Sequence, residues 1–326
     1  QFSLSQRLFI LLATLIVAGA GWVAYLGLPI DAFPDVASTQ VKIIMKAPGM
    51  TPEEIESRIA VPIEVEMLGI PKTKILRSVT KYGLVDVTID FEDGVDIYWA
   101  RQQVSERLGG LTESLPAGIT GGMAPITTPL GEMFMFTVES EGMSLAERRS
   151  LLDWVIRPVL RTVPGVADVN ALGGVVRAFE VVPDQLKLGA SGVTITQLKE
   201  AISANNRNDG AGRLGEGDEV LLVRSEGSIT SLDDLRAVVV TMKDGVPVRV
   251  GNLAEVKIGT VTRYGVVTQS GKGEAVQGLV LGLAGANAQK VVEGVRKKLA
   301  ELQPTLPQGV RLDVFYDRAS LVTKAV

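Results

Sequence analysis

Apolar residues recur along this chain in three rhythms: one unbroken run, several stripes at helical spacing, and several two-residue alternations. The unbroken run is LFILLATLIVAGAGWVAYLGL, Leu8 to Leu28, and it holds no charged residue. As a helix rising about 1.5 Å per residue it is long enough for the roughly 30 Å hydrocarbon core of a bilayer. Gly19, Gly21 and Gly27 suit a membrane helix, because they let a neighbouring helix come close. The prolines of Pro29-Ile30-Asp31-Ala32-Phe33-Pro34-Asp35 then predict a stiff, acidic exit segment.

Alternation predicts strands at Thr39 to Ala47, Thr73 to Thr80 and Leu84 to Phe91, the last with Val85, Val87, Ile89 and Phe91 on one face. Helical stripes fall between them. Ile55, Ile59 and Ile63 follow a capping box at Thr51 and Glu54, and Pro62 predicts a kink or an early end. Asp96 opens a helix with Ile97, Ala100, Val104, Leu108 and Leu111 inward, leaving Arg101, Glu106 and Arg107 on its solvated side. Gly118 to Pro129 offers at most a short strand.

The order strand, helix, strand, strand, helix, strand then recurs. Glu132 to Glu139 reads as a strand, and a second capping box at Ser144 and Glu147 opens a helix with Leu145, Leu152, Ile156, Val159 and Val163 inward. Strands follow at Val166 to Leu172 and, much later, at Ala275 to Leu283. Asn287 caps a helix that turns Val291, Val295, Leu299 and Leu302 inward, and Val310 to Tyr316 is the last strand. An insertion from about Val175 to Arg263 interrupts this second copy. It carries a strand near Ala178 to Val182, a helix near Thr196 to Asn205, and strands at Glu219 to Arg224 and Ala237 to Met242. Asn205 to Asp218 reads as a Gly-rich polar loop. The copies share a pattern and no residue-level repeat.

These spacings predict an α+β chain. A membrane anchor helix occupies 1–30, and a first ferredoxin-like (split βαβ) subdomain 31–130. A second such subdomain takes 131–174 and 264–316, the inserted module 175–263, and a further helix begins in 317–326. Two such bodies side by side leave a cleft between them.

The competing reading of the apolar run is a cleaved secretory signal, with Ala18-Gly19-Ala20 as a small-residue cleavage site. The run continues past Ala20 through Trp22, Val23, Tyr25 and Leu26, with the aromatics at a membrane boundary, so the residues favour a retained anchor. Either way Arg7 before the run and Asp31 and Asp35 after it predict an exported body.

Composition narrows the chemistry. Among 326 residues, 33 Lys and Arg face 37 Asp and Glu, so no basic footprint for nucleic acid exists. Cysteine and histidine are both absent, which removes disulfides, thiolate metal sites and the usual general base. No catalytic constellation, phosphate loop or cofactor site is evident, and no residue is assigned as catalytic, cofactor-binding or metal-binding. The eight methionines invite a soft-metal reading, above all Met133 and Met135 on one strand face and Met45 on another, but core packing accounts for them better. Met50 and Met123 flank turns. Asp86, Asp90, Glu92, Asp93 and Asp96 invite a hard-cation reading, but a solvated strand edge, a turn and a helix cap account for them better. The chain lacks an initiator Met and reaches Val326 inside a helix-like segment, as expected of a piece of a longer protein.

Several runs together resemble one family, the inner-membrane transporters of the resistance-nodulation-division (RND) superfamily. They are LPIDAFPDV (Leu28 to Val36), APGMTPEEIESRIAVPIE (Ala47 to Glu64), SVTKYGLVDVTIDFEDGVDIYWARQQVSERL (Ser78 to Leu108), VVRAFEVVPDQLKLGASGVTITQLKEAISANNRNDGAGRL (Val175 to Leu214) and VFYDRASLV (Val314 to Val322). Tyr98-Trp99-Ala100-Arg101 and Glu106-Arg107-Leu108 resemble its heavy-metal efflux branch more than its multidrug branch. The resemblance implies a first transmembrane helix, two porter subdomains with a docking module in the second, and a second membrane helix beginning near Asp317. It also implies a proton-driven homotrimer in the lipid bilayer, working with a periplasmic adaptor and an outer-membrane channel to export a metal cation or small compound. The docking loop Asn205 to Asp218 would reach towards a neighbouring subunit. Proton-relay acids and methionine metal ligands would lie on later segments. A multidrug permease and an anchored periplasmic binding or adaptor module are the rival readings.

Overall fold

The computed structural model describes residues 6–27, 37–111, 114–216, 219–225, 227–263 and 265–325. The acidic exit segment Pro29 to Asp35 lies outside them. Helix α1, Arg7–Gly27, occupies most of the long apolar run. Its apolar side chains stand exposed, Leu8, Leu15, Val17 and Val23 among them. Side chains are described only for part of it, residues 8–24, roughly 25 Å of helix. Among the described residues, no helix is long and apolar enough to cross a membrane.

Strand β1, Gln40–Lys46, leads to a capped helix at Thr51. The Thr51 side chain accepts from the Glu54 N–H, and the Glu54 carboxylate accepts from the Thr51 N–H at 2.9 Å. Helix α2 then runs through Pro52–Ile55, a π-turn at Glu56–Ala60 and Val61–Met67. Pro62 neither ends the helix nor leaves a gap in it. Proline has no N–H to give and crowds the preceding turn, and the wider π-turn absorbs both, with the Val61 N–H donating to the Glu56 carbonyl. Ile55, Ile59, Ile63 and Met67 are all fully buried.

Strands β2, Thr73–Lys81, and β3, Leu84–Phe91, form a hairpin. Helix α3 spans Ile97–Leu111, and β4 is the short Thr120–Met123. The sheet order is β2-β3-β1-β4, with antiparallel pairing throughout. Val41, Ile43, Val85, Val87, Ile89 and Phe91 meet the helical stripes in one apolar core. Gly121, at φ +142°, lies where a Cβ would sit 2.2 Å from the Ile44 carbonyl oxygen, so only glycine lets β4 close on β1 here.

The pattern then recurs. Strand β5 is Glu132–Glu139, and helix α4 runs through Leu145–Leu151, a π-turn at Leu152–Ile156 and Arg157–Leu160. The two interrupted helices share a detail at residue level: each π-turn is followed at the same offset by a proline, Pro62 and Pro158. The extra residue in the turn moves the inward stripe. Leu160 is fully buried, whereas Val159, the expected inward position, is only half-buried. Strand β6 is Val166–Gly173.

The inserted stretch holds β7, Arg177–Pro183; α5, Gln185–Ser191; α6, Ile195–Asn205; β8, Asp209–Glu216; and β9, Glu219–Ser225. Then come α7, Leu232–Ala237; β10, Val239–Lys243; β11, Val246–Arg249; α8, Val250–Leu253; and β12, Ala254–Thr260. The Gly-rich segment expected to be a loop is a strand over Asp209–Glu216, paired antiparallel with β9. Backbone pairing supplies order there that side-chain alternation does not announce. Strands β7 and β12 pair in a ribbon, and Leu188, Leu198, Leu235, Val250 and Leu253 form a separate core.

Strand β13, Val276–Gly282, helix α9, Ala288–Leu302, strand β14, Arg311–Asp317, and helix α10, Arg318–Ala325, complete the chain. The second four-stranded sheet has the order β14-β5-β13-β6. Counted from its own first strand, that is fourth, first, third, second, the same permutation as the first sheet. Gly278 lets the fully buried Phe136 lie flat across β13, since a Cβ there would stand 2.4 Å from the ring.

The described chain divides into two compact units. One holds both four-stranded lobes (within 1–142, 151–172 and 275–326), the other 143–150 and 173–274.

Candidate functional site

Within the first unit, the loops at one end of both sheets enclose a cavity of about 360 Å³. The first lobe contributes the approach to β1 (Ala37 to Gln40) and the start of α3 (Val95 to Ile97). The connection between lobes adds Ile126 to Pro129, and the second lobe adds Ala284 and Gly285. Backbone hydrogen bonds hold this connection to the second sheet. The Ala284 N–H donates to the Ile126 carbonyl at 3.3 Å, and the Gly282 N–H to the Gly131 carbonyl at 2.8 Å.

Among the described residues, the polar side-chain groups of the wall are hydroxyls, one carboxylate and one amide. Thr39 Oγ1 donates to the Val95 carbonyl at 2.8 Å, and the Gln40 side-chain amide donates to the Asp90 carboxylate. Asp96 is the one carboxylate among the described residues of the lining; its Oδ1 accepts the Trp99 N–H at 2.8 Å at the start of α3. No methionine, lysine or arginine among the described residues lines the cavity. The site has room for something small and polar, and among the described residues it brings together no acid–base pair.

The acidic residues singled out in the sequence are dispersed among ordinary structural tasks. The solvated strand edge expected for Asp86 and Asp90 is instead an interior strand, since β3 lies between β2 and β1, and Asp90 is buried, paired with Arg77 at 2.9 Å. Asp86 accepts from the Thr88 hydroxyl at 3.1 Å, and Glu92 and Asp93 are exposed at the turn closed by Gly94, φ +80°. Among the described residues, no group of three or more acids is placed to hold a metal ion. Met45 and Met133 are buried in apolar packing, the latter against Gly282, while Met135 is half-buried opposite Leu279. Met50 and Met123 pack on the first core.

Two arginines expected on a solvated surface have structural bonds instead. Arg101 Nη1 donates to the Ala124 carbonyl at 2.7 Å, and its partial burial pushes the guanidinium below its ordinary pKa without endangering its charge. Arg107 donates to two carbonyls at the end of α2. The lining residues Ser38, Thr39, Thr127 and Thr128 were not singled out in the sequence. The one available signal was the pair of prolines, Pro125 and Pro129, that marks their connection as a stiff, turn-forming segment.

Comparison with known proteins gives this arrangement its relatives. The AcrB/AcrD/AcrF family matches residues 1–326. The cobalt-zinc-cadmium resistance protein CzcA of Cupriavidus metallidurans is 40% identical over 335 residues, covering 100% of this chain and 31% of CzcA. The cation efflux system protein CusA of Escherichia coli K12 is 34% identical over 327 residues, covering 99% of this chain and 31% of CusA. A crystal structure of a heavy metal efflux pump superposes with a TM-score of 0.88 at 34% identity, over 98% of this chain and 32% of that one. The chain thus spans about a third of the length of these relatives. Full-length family coverage and a shared backbone converge on one conclusion: the chain belongs to the AcrB/AcrD/AcrF family, among the heavy-metal efflux members of the RND superfamily.

Proposed function

We propose that this chain is the N-terminal part of a proton-driven permease that exports heavy-metal cations from a bacterial cell. Helix α1 with its flanks (1–30) is the first membrane span. Residues 31–130, and 131–174 with 264–316, are two ferredoxin-like porter subdomains. The insertion 175–263 is the docking module, and 317–326 begins the second span. The exposed apolar side chains of 8–24 call for lipid, and the apolar sequence on to Leu28 extends the run to the roughly 30 Å of a bilayer core. On this reading the folded body lies in the periplasm and the full-length protein is a homotrimer. It works with a periplasmic adaptor and an outer-membrane channel.

The observation that carries the proposal is the 40% identity to a cobalt-zinc-cadmium resistance protein along the whole chain. The common strand order of the two sheets and their shared, oxygen-lined cavity fit passage of a polar solute. Deleting the full-length gene tests it. Tolerance of divalent cations such as zinc, cobalt or cadmium is expected to fall while tolerance of organic antimicrobials stays. The opposite pattern supports a multidrug permease. No change in either supports an anchored binding or adaptor module.

A further inference from the structure

The connection that lines the inter-lobe cavity is also the point where the last helix takes hold. Arg318, the first residue of α10, is 4% exposed, and its Nη1 donates to the carbonyl of Leu130, 188 residues away in sequence. Leu130 directly follows Pro129 of the cavity wall and precedes Gly131. The Gly131 N–H donates to the Thr128 carbonyl at 2.9 Å, and its own carbonyl accepts the Gly282 N–H. A Cβ on Gly131 would stand 2.0 Å from Thr127 Oγ1 and 3.0 Å from the Thr128 carbonyl oxygen. The segment 127–131 is therefore a tight knot with no slack to absorb a displacement. Next to Arg318, the Asp317 carboxylate pairs with Arg296 of α9 and accepts the Ser320 N–H at 3.2 Å. The start of α10 is thus clamped on one side to α9 and on the other to the connection between lobes.

We propose that Arg318 is a positioning residue that couples the helix starting at 318 to the width of the inter-lobe cavity. A buried guanidinium holds its place only through its hydrogen bonds, and this one joins the base of α10 to the carbonyl beside the cavity wall. A shift of α10 along its axis then carries 127–130, together with the hydrogen-bonded Ala284 and the adjacent Gly285, relative to the first-lobe wall at Ser38 to Gln40, because the knot transmits motion instead of bending. Asp317 and Arg318 place two opposite charges at the strand-to-helix junction, each with its own partner. The proposal deepens the permease reading, in which α10 continues into the membrane.

The test uses the full-length protein in membranes on a cysteine-free background, with spin labels on Ser38→Cys and Gly285→Cys across the cavity. The wild type is expected to show one narrow distance, R318Q a broadened or longer one, and R318K the wild-type distance, since an ammonium can also reach one carbonyl. G131A, which disturbs the knot while leaving Arg318 in place, is expected to match R318Q and serves if R318Q fails to fold. A wild-type distance in folded R318Q, or in G131A where R318Q does not fold, overturns the coupling. Cation and drug tolerance are measured on the same strains. A phenotype for drugs alone would remove the metal reading while a changed distance still upholds the coupling.

Discussion

The guanidinium of Arg107 lies against Gly69, donating Nη2 to its carbonyl at 2.8 Å while Nη1 reaches the Glu66 carbonyl at 2.6 Å. A side chain from α3 thereby closes the C-terminal end of α2, where carbonyls lack partners and the helix dipole favours a cation. Arg107→Ala is expected to lower stability by about 1–3 kcal/mol. Gly69→Ala should cost less, because its Cβ would meet a movable guanidinium at 2.8 Å. Thermal unfolding, with hydrogen exchange at residues 64–70, checks both, and unchanged exchange in Arg107→Ala would refute the cap.

The π-turn in α2 makes a sharper prediction. Deleting Ser57 removes the extra residue and rotates Ile55 by about 100° relative to Ile63 and Met67. Ile55 is fully buried, so the deletion should cost more than about 4 kcal/mol. Pro62→Ala keeps the register and should be tolerated. A deletion variant as stable as the wild type would show that the turn does not set the helix phase.

Asp234 governs an acid-sensitive cap. Its carboxylate accepts from the Thr230 hydroxyl at 2.9 Å and from the Thr230 and Ser231 N–H groups at 3.1 and 2.9 Å. The Thr230 hydroxyl leads these bonds in holding its pKa below the ordinary 3.8. A depressed folded-state pKa adds stability above the unfolded value, and that stability is lost as pH falls through the folded one. The thermal midpoint of residues 173–274 within the full chain should fall below about pH 4, and Asp234→Asn should flatten that fall. Parallel pH profiles for variant and wild type would count against this cap.

If the methionines serve packing alone, Met45→Leu, Met133→Leu and Met135→Leu should each change stability by less than about 1.5 kcal/mol. Cation tolerance of the full-length protein should not move. A tolerance defect in a variant of unchanged stability would assign that thioether to transport.

Element positions were largely legible because the amphipathic helices bury one face, which imposes a period, and the strands between them are rich in apolar and β-branched residues. Leu84–Phe91 runs as a strand over the residues that alternation marked, and Glu132–Glu139 over the strand read there. The inward faces of α3 and α9 follow their stripes, with Ala100, Val104, Val291, Val295 and Leu299 buried. The caps at Thr51 and Asn287 were equally plain, since capping is local. Asp209–Glu216 escaped notice because a glycine-rich strand is held by its partner's backbone. The helix does not take the early end offered at Pro62, because a π-turn that only the folded helix shows accommodates the proline.

By itself, then, the sequence determined the apolar run, the repeated order of strands and helices, the start sites of the capped helices and the family. Each is set by spacing or chemistry within a few residues, or by resemblance along the chain. Tertiary structure alone decided that loops 37–40, 95–97, 126–129 and 284–285 share one cavity. It also decided that Arg107 and Arg318 spend their charge on distant carbonyls. Such contacts depend on how two sheets and their connections close in space. A guanidinium finds its partner 38 or 188 residues away only after the backbone has brought that carbonyl within reach.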